Sequence, residues 1–162
     1  MHKLQYRIGD ATEPQGTSVK IILHCVNDVG AWGAGFVLAL SQRWREPQWK
    51  YRRWHQAGEL DGVPFALGQV QMIKVVSGVF VANLIGQHGL RRRGDDGLPP
   101  VRYEAIRQGL ARVRQQALML KASVHMPRIG AGLAGGDWRE IEQIILDELA
   151  AHDLAVTIYD LR

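Results

Sequence analysis

Two stretches of this chain share one layout: an apolar run, a glycine-rich loop, then apolar residues at helical spacing. In the first, residues 18–26 (Ser-Val-Lys-Ile-Ile-Leu-His-Cys-Val) lead into Asn27-Asp28-Val29-Gly30-Ala31-Trp32-Gly33-Ala34-Gly35, followed by Phe36, Val37, Leu40 and Trp44. In the second, residues 124–127 lead through Ile129-Gly130-Ala131-Gly132-Leu133-Ala134-Gly135-Gly136-Asp137 into Trp138, Ile141, Ile144, Ile145 and Leu149. A buried strand that turns on glycines and feeds a helix is the repeating unit of an α/β sheet. Two such units restrict the chain to strands whose carboxyl ends share one edge, where open α/β sheets bind ligands.

The remaining segments fit that frame. Residues 3–8 alternate as a half-buried edge strand would, and 155–160 form a last strand with period-two alternation. Residues 70–76 and 79–85 read as two strands joined at Ser77-Gly78, a two-residue hairpin turn that makes the sheet mixed. Helical patterns cover 36–44, 47–57, 101–121 and 138–150, with Pro47 tolerated in a first turn. Together they predict an α/β/α fold in three layers around a central mixed β-sheet, formed by one domain over residues 1–162.

Composition narrows the function classes. The one cysteine, Cys25, excludes an internal disulfide framework and any multi-cysteine zinc site. The first ten residues include His2, Lys3, Gln5, Arg7 and Asp10 and hold no apolar signal core. No apolar run approaches the ~20 residues of a membrane span, so a soluble, cytoplasmic protein without a membrane partner is expected. Net charge is +4, which suits an anionic partner. Trp44, Trp49 and Trp54 recur every fifth residue among arginines. That spacing spreads them around a helix instead of forming a base-stacking stripe, so nucleic acid is expected only as a modified substrate.

The glycine loops carry the chemistry. Backbone N–H groups there can approach a phosphate closely, and a following helix N-terminus adds favourable partial charge. Gly130, Gly132 and Gly135 match a dinucleotide fingerprint, but 27 residues after Gly135 are too few for the rest of a nicotinamide-binding half. Neither loop continues into Gly-Lys-Ser/Thr, which excludes a triphosphatase P-loop. Tight turns and helix–strand contact are the structural alternative for these glycines.

Three segments in order carry a family resemblance: Gly9-Asp10-Ala11-Thr12, then Asn27 with Gly33-Ala34-Gly35, then Pro127-Arg128-Ile129-Gly130-Ala131-Gly132-Leu133. Together they resemble the signature segments of a macrodomain, from Gly9 to Tyr159. His24-Cys25-Val26-Asn27 and Met126-Pro127-Arg128-Ile129 resemble the branch holding terminal ADP-ribose protein glycohydrolase. Trp32-Gly33-Ala34-Gly35 also resembles the ADP-ribose 1″-phosphate phosphatase. The resemblance implies binding of ADP-ribose or of an ADP-ribosylated macromolecule, without cofactor or metal. It places the adenine at Asp10, Ala11 and Tyr159, and the distal ribose at Asn27, Gly33, Ala34, Gly35 and Phe36. The diphosphate falls to Gly130, Ala131, Gly132, Leu133 and Ala134. Each polar residue has a plainer alternative: an Asx turn for Asp10, a turn asparagine for Asn27, a core tyrosine for Tyr159.

Catalysis is where the match breaks. The glycohydrolase lysine falls on Gln87 and the loop aspartate on Ala134, and neither can do that chemistry. The remaining candidates are Asp137, which can equally cap a helix, His88 in the loop after the hairpin, and His24, which a buried structural histidine would also explain. Three readings follow: a hydrolase acting on ADP-ribosyl adducts or on ADP-ribose 1″-phosphate, a non-catalytic reader of ADP-ribose, and a nucleic-acid binder.

Overall fold

A computed structural model describes residues 4–90 and 97–161. In chain order the elements are β1 (Leu4–Ile8), β2 (Val19–Asn27), α1 (Phe36–Arg43), α2 (Glu46–Ala57), β3 (Glu59–Leu60) and β4 (Val63–Pro64). They continue with β5 (Val70–Val76), β6 (Val79–Gln87), α3 (Tyr103–Leu120), β7 (Ala122–Met126), α4 (Trp138–Glu148), a 3-10 turn at Ala150–His152, and β8 (Val156–Asp160). Six strands form the main sheet in the order β1-β8-β7-β2-β6-β5. Only β5 runs antiparallel, against β6. The mixed sheet and its helical cover match the expected fold class.

Period-two side-chain alternation explains the layering. Along β2, Ile21 and Leu23 enter one apolar core, shared with Ile106, Leu110 and Val113 of α3 and with Ile141, Ile144 and Ile145 of α4. The intervening Ile22 and Val26 enter a second core with Leu40 of α1 and Tyr51 and Trp54 of α2. A central strand covered on both faces must be apolar throughout, and β2 is. Close packing also sets one residue of α3: a Cβ at Gly109 would lie 2.4 Å from Leu84 Cγ.

Two expectations change. β1 is an edge strand, but the side chains of Gln5, Tyr6, Arg7 and Ile8 are exposed, so it is not half-buried. The small hairpin β3–β4 has no counterpart in the sequence expectation, although its Asp61-Gly62 turn takes positive φ at both residues (53° and 80°), as a type I′ turn requires. Helix ends otherwise shift by one or two residues. Trp44 leaves α1 in extended conformation, and Lys121 stops α3 with φ 54°. Among the described residues, no helix is long and apolar enough to cross a membrane.

Candidate functional site

Because β1, β8, β7, β2 and β6 are parallel, their carboxyl ends open on one side of the sheet. Gly9, Asn27, Gln87, Pro127 and Tyr159 therefore converge on one cleft of about 790 Å³. Of the residues singled out from sequence, Asp10, Ala11, His24, Asn27, Gly33, Ala34, Gly35, Phe36, Gly130, Gly132, Leu133, Ala134 and Tyr159 line it. Ala131, His88 and Asp137 are not among the lining residues.

The two glycine loops supply donors. The N–H groups of Gly33, Ala34, Gly35, Gly132, Leu133 and Ala134 make no hydrogen bond to another described residue. All six residues line the cleft. Unpaired backbone donors on two opposed loops suit an anion with oxygens on both sides. The first loop also ends in an open helix start, since Gly35 (φ 82°) caps α1 with no side-chain hydrogen bond. The second does not. Asp137 caps α4 by accepting from the Arg139 N–H at 3.0 Å, and its own N–H donates to the Tyr103 hydroxyl at 2.9 Å.

Asn27 shapes the first loop. Its Oδ1 accepts from the N–H of Val29 and of Ala31, both at 3.0 Å, and its Nδ2 donates to the Ala31 carbonyl at 2.8 Å. The Tyr51 hydroxyl donates to the Asn27 carbonyl at 2.6 Å. The side chain is therefore engaged as a turn-former.

Asp10 combines both of its readings. Oδ1 accepts from the Thr12 N–H (2.8 Å) and hydroxyl (2.7 Å), an Asx turn. Among the described residues, Oδ2 faces only the Arg43 guanidinium, 3.9 Å away. Arg43 itself donates to Thr12 Oγ1 at 2.6 Å and pairs with Glu13. Tyr159 is buried yet lines the cleft. Its hydroxyl accepts from the Gln15 N–H at 3.0 Å and meets His125 Nδ1 at 2.7 Å, while His125 Nε2 meets Ser123 Oγ at 2.7 Å. Burial holds His125 down at about 4, so it is neutral in this network.

His24 is also held neutral: burial lowers its pKa to about 4. Its Nε2 lies 2.5 Å from Asn83 Oδ1, and its ring packs edge-on to Trp32 and tilted against Phe36. Burial pushes the Cys25 thiol up to about 12, so it is no nucleophile at neutral pH. Gln87 lines the cleft and donates to the Gly89 carbonyl at 3.0 Å.

Sequence reasoning missed two arrangements. Arg128 lines the cleft, forks onto Asp160 at 2.7 and 2.9 Å, and stacks with Tyr6 and Trp138, 5.1 and 5.2 Å from their ring centres. Its partners come from three distant segments, so no local pattern reveals them. Asp28 holds His88 Nδ1 at 2.7 Å and the Gly89 N–H at 2.8 Å. The position of Asp28 in the first glycine loop was the available signal. Of the tryptophans, Trp54 is buried, Trp44 packs on the second core, and Trp49 is exposed beneath Arg53. Of the segment from Arg91 to Gly97, only Gly97 lies among the described residues. No group of three or more metal-ligating side chains occurs among the described residues.

No model of a known protein family matches the chain. Among curated proteins it is 33% identical over 165 residues to the chromodomain-helicase-DNA-binding protein 1-like of Danio rerio, covering 96% of this chain and 15% of that protein. It thus spans about a seventh of the length of that relative. Among solved structures it resembles a Bacteroides thetaiotaomicron protein of unknown function, with TM-score 0.92, 52% identity and 98% of each chain covered. A macrodomain protein from Streptomyces coelicolor aligns at TM-score 0.84 and 49% identity over 97% of this chain and 98% of that one. Thermosipho africanus DarTG in complex with ADP-ribose shares the fold at TM-score 0.69 and 17% identity, over 88% of this chain and 38% of that one.

Proposed function

The chain belongs to the macrodomain family, and from that premise we propose that the cleft at the strand carboxyl ends binds ADP-ribose, free or attached to a macromolecule. The observation that carries this reading is the set of six N–H groups on two glycine loops that line the cleft and have no partner among the described residues. They suit a diphosphate, which needs many donors and no metal. Asp10 Oδ2, which has only a distant cation for company, is the acceptor for the adenine amino group. Ala11, Tyr159 and Leu161 form the walls at that end, and Phe36 the wall at the other. The complex of DarTG with ADP-ribose lends support at the level of the fold alone.

Calorimetry with ADP-ribose tests the reading: saturable binding is expected, and none at millimolar ligand would refute it. Asp10→Ala should weaken binding by roughly 1.5–3 kcal/mol, the range for a hydrogen bond to a charged group. Asp10→Asn, which retains an Oδ1 for the Asx turn, separates loss of charge from loss of the turn.

A hydrolytic reading is favoured by one contact, the Asp28–His88 pair, because a carboxylate on Nδ1 orients an imidazole as a general base. Against it, His88 and Asp137 are not among the cleft-lining residues, and Gln87 and Ala134 lack the nucleophile and carboxylate of the glycohydrolase branch. Incubation with ADP-ribosylated protein and with ADP-ribose 1″-phosphate, followed by mass spectrometry, distinguishes the cases. A reader releases neither ADP-ribose nor phosphate.

A further inference from the structure

The tryptophans at 44, 49 and 54 part company in the fold, and one is left facing solvent among cations. Trp49 is 54% exposed, belongs to neither apolar core and makes no ring–ring contact among the described residues. The Arg53 guanidinium lies 4.9 Å from its ring centre and the Lys50 ammonium 5.8 Å. Helical spacing puts Arg45, Trp49, Arg52, Arg53 and Gln56 on one exposed stripe, while Pro47, Tyr51 and Trp54 are buried. The cations of this stripe have no acid to satisfy them. Arg107, Arg114 and Arg128 are paired with carboxylates elsewhere in the fold. Among the described residues, no side chain of Arg45, Lys50, Arg52 or Arg53 has an ion pair or a hydrogen bond. Residues 45–57 hold these four cations and one acid, Glu46, in a chain of net charge +4, so most of the excess sits here.

We propose that the exposed face of α2 binds single-stranded nucleic acid, with one base stacked on Trp49 and the flanking phosphates held by Arg45, Lys50, Arg52 and Arg53. Each unit of such a strand joins a flat ring to an anion, the complement of an indole set among guanidinium groups. An acidic peptide supplies anions without rings. A lipid surface would need more apolar side chains beside Trp49, and Tyr51 and Trp54 point into the core. A single stacking ring gives little choice among bases, so the binding is indifferent to sequence. Arg45, Trp49, Arg52 and Arg53 do not line the ligand cleft. The C-terminal end of α2 nevertheless reaches its rim, where the His55 ring lies against Gly30 of the β2–α1 loop. Strand and ADP-ribose therefore occupy separate places, and neither needs the other.

Fluorescence anisotropy of a labelled oligodeoxythymidylate of about 20 nucleotides, longer than common site sizes, tests the assignment. The wild-type protein should bind at low salt, weaken as salt rises, and hold the strand in excess ADP-ribose. Trp49→Ala should cost about tenfold in affinity, and Arg52→Glu with Arg53→Glu at least as much, each with an unchanged melting temperature. No binding by the wild type at low salt, or equal binding by both variants, overturns the assignment. Displacement by ADP-ribose would put the strand in the cleft and overturn it too. So would equal affinity for polyglutamate or for anionic phospholipid vesicles, which would make the stripe a general anion surface. Should a variant not fold, the Trp49 indole N–H signal of the wild type decides. It should move with the oligonucleotide and stay in place with ADP-ribose, and a signal unmoved by the oligonucleotide overturns the assignment.

Discussion

The two glycine loops look alike in sequence and differ in what they leave open. The β2–α1 loop is held from within by Asn27, whose side chain bonds Val29 and Ala31, and it delivers a helix start with no side-chain cap. The β7–α4 loop ends in Asp137, whose carboxylate already occupies the helix N-terminus. Helix partial charge is thus available to a ligand from α1, while the second loop offers backbone N–H groups alone. The glycines divide in a similar way. Gly30 takes φ 78°, which strains any other residue, and a Cβ at Gly136 would lie 2.5 Å from the Gly130 carbonyl, so the fold itself disfavours side chains at both. Gly33 and Gly132 have ordinary φ and open space around them. Among the described residues nothing requires them to be glycine, and both line the cleft.

The largest expected effect follows from that division. Gly132→Val should abolish ADP-ribose binding without lowering the melting temperature, because the new side chain projects into space the diphosphate would fill. Gly136→Ala should do the reverse, destabilising the protein through its backbone clash. Paired melting and calorimetry check both. A folded Gly132→Val variant that binds normally would make the second loop a structural turn only.

Next in size is an acid effect shared by the strands that lead into the loops. His24 on β2 and His125 on β7 both have folded-state pKa values near 4, below the ~6.5 of an unfolded histidine. Between those values the unfolded chain takes up protons that the folded one does not. Stability is therefore complete above about pH 6.5 and falls as pH drops toward 4, by up to roughly 3 kcal/mol for each residue. Melting curves from pH 7.5 to 4.5 should show the decline, and His24→Phe should remove part of it. A flat profile would contradict burial of the two rings as neutral species.

The smallest effect isolates the cap. Asp137→Ala should cost about 1 kcal/mol of stability, the usual value of an N-cap, and leave ADP-ribose affinity unchanged in calorimetry. Weakened binding with unchanged stability would place Asp137 at the ligand after all.

Much of this was readable in the sequence because its causes are local. Apolar β2, the helical stripe of α4 and the glycine loops announce themselves through periodicity and turn chemistry. The β3–β4 hairpin was equally readable from Asp61-Gly62, and its strands went unseen because each is two residues long. What stayed hidden depends on tertiary contact. Arg128 is placed by Tyr6, Trp138 and Asp160, and the ring of His24 is held by Asn83 on another strand. Gly132 reads as a turn glycine until its ordinary φ is seen.

A heteronuclear NMR titration of the wild-type protein with ADP-ribose tests the central claim most directly, because it reports binding and its location together. The amide signals of Gly33, Ala34, Gly35, Gly132, Leu133 and Ala134 should move together and saturate, with those of α2 unmoved. An unchanged spectrum at millimolar ligand, or shifts confined to the surface around Trp49, would contradict it.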